Sequence, residues 1–548
     1  MEGFVPWPDE LAARWRRLGL WEGLTIGGMV ERTAQRLPDK LAVVCGERHL
    51  SYRDLVEASQ RLALGFARAG LTRGDRVVLQ LPNSIDFVLA YLALNWIGAV
   101  PVMALRPHRQ AEVRHFIRAS GAVAYIVPDV VGGFDFRDMA AQMQREFPAL
   151  RWVAVAGEPG AGQRSLAAMT DTALPLAQLR AAIAPLAPEP GDLCTMLLSG
   201  GTTSLNKLIP RTHDDYVLNA RACGAAAGFD EDTVFMAILP LGHNYNLASP
   251  GMLGAFYVGG TLVVAQGTSA EEVFGLVERE RVTVIAAVVP LITAWLNSDV
   301  PARHDLSSLQ VIQNGGARLA PELRRRLREQ LHCTPQEIYG TAEGLINMTR
   351  LTDPDDLLLE SSGAPVLAED EIRVVDDDGR DVPDGTPGEL VTRGPYTIRG
   401  YYDAPEKNRE AFLPDGWYRM GDIVRKQGRY VYTEGRRKDL INRGGEKISC
   451  DEVENLIFAH PAVKAVALVA MPDPVFGEKA CAFVVPKDGQ TLDLPGLVAF
   501  LRQQQIASFK LPERLELVPA LPQSPVGKIL KRELRERLIA TMQPQVPQ

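Results

Sequence analysis

Residues 199–207 spell SGGTTSLNK and directly follow the apolar run CTMLL at 194–198. Gly200 and Gly201 let backbone N–H groups converge on one point, Ser199, Thr202, Thr203 and Ser204 add hydroxyl donors, and Lys207 adds a positive charge. The chemistry implied is the cradling of a phosphate; the plainer alternative is a polar turn after a strand. Spelling excludes two other loops. A Walker loop requires a glycine directly before the lysine, where Asn206 stands, and a hydrolase nucleophile elbow requires one two residues before the serine, where Leu197 stands.

Six further strings follow in order: NGGA at 314–317, YGTAEG at 339–344, WYRMGD at 417–422, EGRRKD at 434–439, RGGEK at 443–447 and PVGK at 525–528. Together with SGGTTSLNK they resemble the adenylate-forming enzymes, the superfamily of acyl- and aryl-CoA synthetases, nonribosomal peptide adenylation domains and luciferases. Two letters depart from the family's loop, Ser204 for its usual glycine and Asn206 for its usual proline. The resemblance implies that a carboxylate attacks the α-phosphorus of ATP, pyrophosphate leaves, and a thiol then takes the acyl group from the acyl-AMP. By motif position, Ser199, Gly200, Gly201, Thr202, Thr203 and Lys207 would hold the phosphates, Thr341 the α-phosphate and Glu343 a Mg²⁺ ion. Gly315, Gly316, Ala317, Tyr339 and Gly340 would frame the adenine, and Asp422 with Arg436 would take the ribose. Lys528 would bridge the reacting carboxylate and the α-phosphate. Lys438 matches the family's hinge, and Gly444 and Gly445 would let the acceptor's thiol arm approach.

Substrate choice is expected in LPLGHNYNLASP at 239–250. Where amino-acid-activating relatives carry an Asp for the substrate ammonium, this chain has Asn244, so the acid should lack an amino cation. HNY followed by SPG resembles the stand-alone aryl-acid-activating subgroup of siderophore assembly, as does ALRPHR at 104–109, with Arg106 replacing that subgroup's proline. In that reading Asn244 bonds a 2-hydroxyl, Tyr245 packs on the ring, His243 lies near the carboxylate and Ile346 lines the pocket. Ser249 stands where a hydroxyl can bond a 3-hydroxyl, which favours 2,3-dihydroxybenzoate, with salicylate as the alternative. The implied acceptor is the phosphopantetheine thiol of an aryl carrier protein. An aryl- or acyl-CoA ligase is the alternative, and a catalytically silent binding protein of the same fold is a third. Basic groups at 324–328 and 531–532 read as solvated helix faces or docking patches for an acidic carrier.

These residues must be positioned by elements that the rest of the chain builds. Residues 76–104 read RVVLQ, a PNS turn, an apolar helix over 85–97 and the strand VPVMA, a strand–helix–strand unit of the kind parallel strands need. The logic recurs in TLVVA at 261–265, a helix opened by a capping box at Ser269 and Glu272, and VTVIAAVV at 282–289, whose unbroken apolarity predicts a strand buried on both faces. A helix with Pro321 in its first turn leads into EIYGTAEG. From about residue 370 short Asp- and Gly-rich segments predict hairpins. After Arg436, strands at 464–470 and 481–486 with helices from Ser449 and over 494–505 predict a compact α+β unit, and the tail at 541–548 is expected to be disordered. The expected fold is α/β: an N-terminal domain over 1–436, with a β-rich subdomain at about 370–436, and a small mobile C-terminal domain over 437–548. No internal repeat is visible.

Composition bounds the partners. The 548 residues carry 59 Lys plus Arg against 67 Asp plus Glu, a formal charge of −8, which disfavours nucleic acid as the principal partner. Six cysteines stand far apart with no CxxC pair, fitting neither a disulfide framework nor a cysteine zinc site, so a reducing cytoplasm is the expected home. The start lacks the basic-then-apolar pattern of an export signal, and the longest apolar stretch, 284–296, contains Pro290 and falls short of the ~20 residues that span a bilayer.

Overall fold

The computed structural model describes residues 1–199, 206–436, 440–443, 446–504, 506–524 and 527–542, with backbone alone at Arg436, Glu446 and Lys447. Two large mixed sheets carry the body. In the first, strand Arg76–Leu79, helix Ile85–Trp96 and strand Val100–Met103 form the expected unit, and the two strands pair in parallel. Leu193–Leu198 pairs in parallel with Val100–Met103 and antiparallel with Leu208–Thr212.

The second sheet has nine strands, and its centre is parallel in the order Thr334–Thr341, Val311–Gly315, Val284–Ala287, Val234–Ala237, Thr261–Val264 and Leu41–Cys45. Val284–Ala287 is buried along its whole length, as unbroken apolarity demands of a strand covered on both faces. It is shorter than expected. Pro290 has no N–H for a ladder but suits a first helical turn, and Val289–Leu296 is a helix. At Ser269 half of the expected box forms: its Oγ accepts from Glu272 N, but the Glu272 carboxylate accepts from the N–H groups of Gln266 and Gly267.

Antiparallel strands Glu371–Val375, Gly388–Arg393, Tyr418–Gln427 and Tyr430–Arg436 make the expected β-rich sheet. Beyond it, the hairpin Val463–Asp473 and Gly477–Pro486 is apolar on both faces. Val466, Leu468 and Ala470 pack with helices Cys450–Phe458 and Leu494–Gln503, while Ala467, Val469 and Met471 pack with helix Lys531–Met542, the period-2 alternation of a strand covered twice. That last helix takes in Thr541 and Met542, correcting the start of the expected tail; 543–548 lie outside the described residues. No helix among the described residues is long and apolar enough to cross a membrane.

Candidate active site

Ligands of open α/β sheets sit beyond the carboxyl ends of the parallel strands. Here Val311–Gly315 ends in the NGGA turn, Thr334–Thr341 ends in Tyr339, Gly340 and Thr341, and Val234–Ala237 leads into the loop at 239–250. Asn83 of the PNS turn pins that loop, donating to Leu239 O at 2.9 Å and accepting from Leu241 N at 2.8 Å. Val284–Ala287 ends at Val288, and there Gly527 of the PVGK string rests: a Cβ on it would lie 2.9 Å from Val288 Cγ2. With φ at +78° the position favours glycine twice over. Lys528 is thereby brought to the same edge, its N–H donating to Ser524 Oγ at 3.1 Å and its carbonyl accepting from Ser524 N at 2.7 Å.

Ser199 and Lys207, which begin and end the SGGTTSLNK string, are joined to each other twice. Ser199 N donates to Lys207 O at 3.0 Å and Ser199 Oγ accepts from Lys207 N at 2.9 Å. Asn206 adds a bond that proline could not make, its Nδ2 donating to Ser199 O at 2.5 Å. The Lys207 ammonium lies 4.1 Å from the centroid of the Tyr401 ring, and the Tyr401 hydroxyl donates to Glu343 Oε1 at 2.8 Å. Tyr339 donates to Asp422 Oδ2 at 2.8 Å, and Asp422 faces Arg436 across the strand ladder. Thr341 Oγ1 donates to Gly344 O at 2.8 Å, so its hydroxyl must rotate to reach a phosphate. Asn314 Nδ2 donates to Ala317 O at 2.7 Å and to Glu337 at 3.0 Å, holding the NGGA turn against the buried Arg324–Glu337 pair.

The aryl-acid loop is more self-contained. Tyr216 donates to Asn244 Oδ1 at 2.8 Å, Asn244 Nδ2 donates to Ser249 Oγ at 3.1 Å, and Asn219 Nδ2 donates to the same oxygen at 3.3 Å. Both lone pairs of Ser249 are thus filled, and its hydroxyl is within hydrogen-bond reach of the buried Cys223 thiol. Asn244 keeps one N–H and one lone pair. The ring of Tyr245 lies against Gly315, where an added Cβ would meet it at 2.9 Å, and Ile346 covers Gly340 in the same way at 2.7 Å. His243 Nδ1 accepts from Tyr245 N at 3.3 Å, which puts the proton on Nε2; burial lowers its pKa to about 4, so the ring is neutral.

The structure therefore joins Tyr339 to Asp422, Asn244 to Ser249, Tyr245 to Gly315 and Gly340 to Ile346. Gly200, Gly201, Thr202, Thr203, Ser204, Lys438, Gly444 and Gly445 lie outside the described residues, as does the Arg436 side chain. Five groups escaped the sequence reading. Arg211, fully buried against Asp215 at 2.6 Å, donates to Ala342 O at 2.9 Å and Tyr396 O at 3.2 Å, tying the YGTAEG turn to the helix His213–Ala226. Tyr216 and Asn219 sit on that helix three residues apart, polar letters on a buried face, which is the one signal that could have exposed them. Tyr401 and Tyr418, their hydroxyls 3.3 Å apart, carried none. Within the two basic groups, two residues are corrected: Arg324 is buried on Glu337 and three carbonyls, and Lys531 is held by Glu454 at 2.7 Å, while the side chains of Arg325, Arg328 and Arg532 are exposed as expected of a solvated face.

Among the described residues no three His, Cys, Asp or Glu groups converge as a metal cage. The donor set fits magnesium in its usual manner, one carboxylate with nucleotide phosphates supplying the rest. Glu343 is 8% exposed and takes the Tyr401 hydrogen on Oε1, and its Oε2 accepts from none of the described residues.

A profile of the AMP-binding enzyme family matches residues 30–402, and one of the AMP-binding enzyme C-terminal domain matches 452–528. The chain is 46% identical over 541 residues to the 2,3-dihydroxybenzoate-AMP ligase of Bacillus subtilis (strain 168), covering 98% of each. It is 45% identical to a salicylyl-CoA synthase / salicylate adenylyltransferase of Streptomyces, covering 98% of this chain and 97% of that one. The apo structure of Mycobacterium smegmatis MbtA superposes with a TM-score of 0.75 at 40% identity, covering 98% of this chain and 99% of that one.

Proposed function

The chain belongs to the AMP-binding enzyme family and is an aryl-acid AMP ligase, and from that premise we propose that it activates 2,3-dihydroxybenzoate and loads it onto an aryl carrier protein. The observation that carries the choice of acid is the buried neutral chain Tyr216–Asn244–Ser249–Asn219. No charge there would pair with a substrate ammonium. The spare N–H of Asn244 is suited to a 2-hydroxyl oxygen, and Ser249, by turning its proton from the Cys223 thiol, to a 3-hydroxyl oxygen.

The first step forms a bond from the aryl carboxylate oxygen to the α-phosphorus and breaks the bond to pyrophosphate. Lys528, approaching along Val288, neutralises charge shared by the two anions; Lys207 and Ser199 hold the leaving phosphates. Tyr339 and Asp422 act as one hydrogen-bonded unit against adenine and ribose. His243, neutral with its proton on Nε2, donates a hydrogen bond towards the carboxylate without adding charge. Mg²⁺, held by Glu343, would neutralise phosphate charge. In the second step a phosphopantetheine sulfur attacks the acyl carbon, AMP leaves and the thiol proton is lost. Gly444 and Gly445 leave room for the arm, and 437–548 turns about Lys438 as one domain. Six buried cysteines, none of them in a disulfide, support a reducing compartment, the cytoplasm.

The acid is tested by pyrophosphate exchange with 2,3-dihydroxybenzoate, salicylate and benzoate side by side. Dihydroxybenzoate should give the highest kcat/KM, and a higher value for salicylate would reassign the pocket. Since one relative is named for coenzyme A, the acceptor is tested by offering CoA or an aryl carrier protein to enzyme with ATP and acid. Efficient thioester formation on CoA would overturn the carrier.

A further inference from the structure

We propose that Tyr401 is a positioning residue that holds the Lys207 ammonium and the Glu343 carboxylate apart, one on its ring face and the other on its hydroxyl. The triphosphate and its divalent ion then meet two separate charges instead of a self-neutralised pair. This rests on the adenylation reading above and deepens it.

Three observations converge. Lys207 lies 4.1 Å from the ring centroid, within cation–π range. The hydroxyl of the same ring donates to Glu343 Oε1 at 2.8 Å, a charge-assisted bond that fixes the carboxylate. The phenol is itself locked. It is 1% exposed, its ring packs edge-on against Phe412 with centroids 5.6 Å apart, and Asn408 clamps its backbone, accepting from Tyr401 N at 2.7 Å and donating to Tyr401 O at 3.0 Å. The N-terminal segment grips the same stretch from outside: Trp21 Nε1 donates to Pro395 O at 3.0 Å, and Gly3 O accepts from Asp403 N at 2.9 Å. A group fastened at so many points can keep opposite charges from collapsing together, as a flexible one could not. Lys207 and Glu343 come from segments far apart in sequence and meet at two faces of one phenol.

The test separates the two faces of the ring. Tyr401→Phe keeps the ring and drops the hydroxyl; Tyr401→Leu drops both. Binding of a non-hydrolysable ATP analogue is measured by calorimetry, with and without Mg²⁺ and without aryl acid, on proteins whose thermal unfolding has been compared. The Phe variant should bind the metal-free analogue within about twofold of wild type yet lose roughly tenfold of the gain that Mg²⁺ confers, the worth of one hydrogen bond to a charge. The Leu variant should lose affinity in both conditions, and the KM for aryl acid should stay unchanged in both proteins. A Phe variant with unaltered Mg²⁺ gain, or with equal losses in both conditions, would overturn the proposal. Should Leu not fold, the Phe comparison still decides. Failure of wild-type enzyme to bind the analogue at all would instead sink the adenylation reading beneath it.

Discussion

The proposed aryl pocket takes Tyr216, Asn219, Asn244 and Ser249 from one stretch of chain, joined by three side-chain hydrogen bonds. The proposed nucleotide site takes Lys207, Glu343, Tyr401, Asp422 and Lys528 from segments scattered between residues 207 and 528, and its charges meet through intermediaries such as Tyr401. A pocket closed upon itself lets one letter change the acid without disturbing the chemistry. A site collected from distant segments couples its members, and under the proposed two-step reading one of them, Lys528, comes and goes with the domain that carries it. Substrate choice and catalysis should therefore respond differently to substitution.

Arg211 is the group that ties both regions, and Arg211→Met is the strongest way to break the distinction. It strands the fully buried Asp215 and should cost about 3–5 kcal/mol in urea unfolding. A loss within experimental error would mean the regions are independent even here. Next in size, Lys528→Ala should lower aryl-acid-dependent pyrophosphate exchange by roughly 10³-fold, about 4 kcal/mol, while leaving thiol transfer from supplied aryl-AMP within about threefold. Equal losses would tie Lys528 to both half-reactions. Smaller again, Ser249→Cys should shift the kcat/KM ratio towards salicylate by about tenfold, since a single contact is worth ~1–3 kcal/mol, with KM for ATP unmoved. An unchanged ratio would remove Ser249 from the pocket's choice.

The smallest effect concerns pH. Burial holds His243 near 4, below its ordinary 6.5, so the unfolded chain takes a proton that the folded one refuses. Its share of stability is complete above pH 6.5 and declines as pH falls towards 4. Asp370, raised to about 7 by burial, tilts the total the opposite way. The histidine's share is therefore read as a difference from His243→Asn, which keeps a helix-capping side chain. Urea melts at pH 7.5 and 5 should show wild type losing ground relative to the variant at the lower pH, and a constant difference would place a charged or exposed ring at this position.

The same division governs what the sequence could disclose. Strings such as YGTAEG and PVGK are contiguous, so their chemistry is spelled locally, and Asn244 and Ser249 could be placed by position alone. The unit at 76–104 was legible because helix and strand periods differ. Tyr401 and Arg211 were not, since each acquires its role only from partners far away in the chain. Arg324 sat in an arginine-rich helix that reads as solvated, and charge counting cannot show the carboxylate and carbonyls waiting beneath it. The antiparallel return after Leu198 was equally hidden, because an apolar strand does not declare its neighbour's direction.

All six cysteines are buried. A maleimide dye offered to the folded chain should therefore meet no native thiol at its surface, and no cysteine need be removed before new ones are added. Val475, 79% exposed at the tip of the Val463–Asp473 hairpin, offers one attachment point, and Val130, 48% exposed on the body, offers another. A donor and acceptor on cysteines introduced at these two places would make the chain its own ruler, testing the proposed swing between half-reactions one molecule at a time.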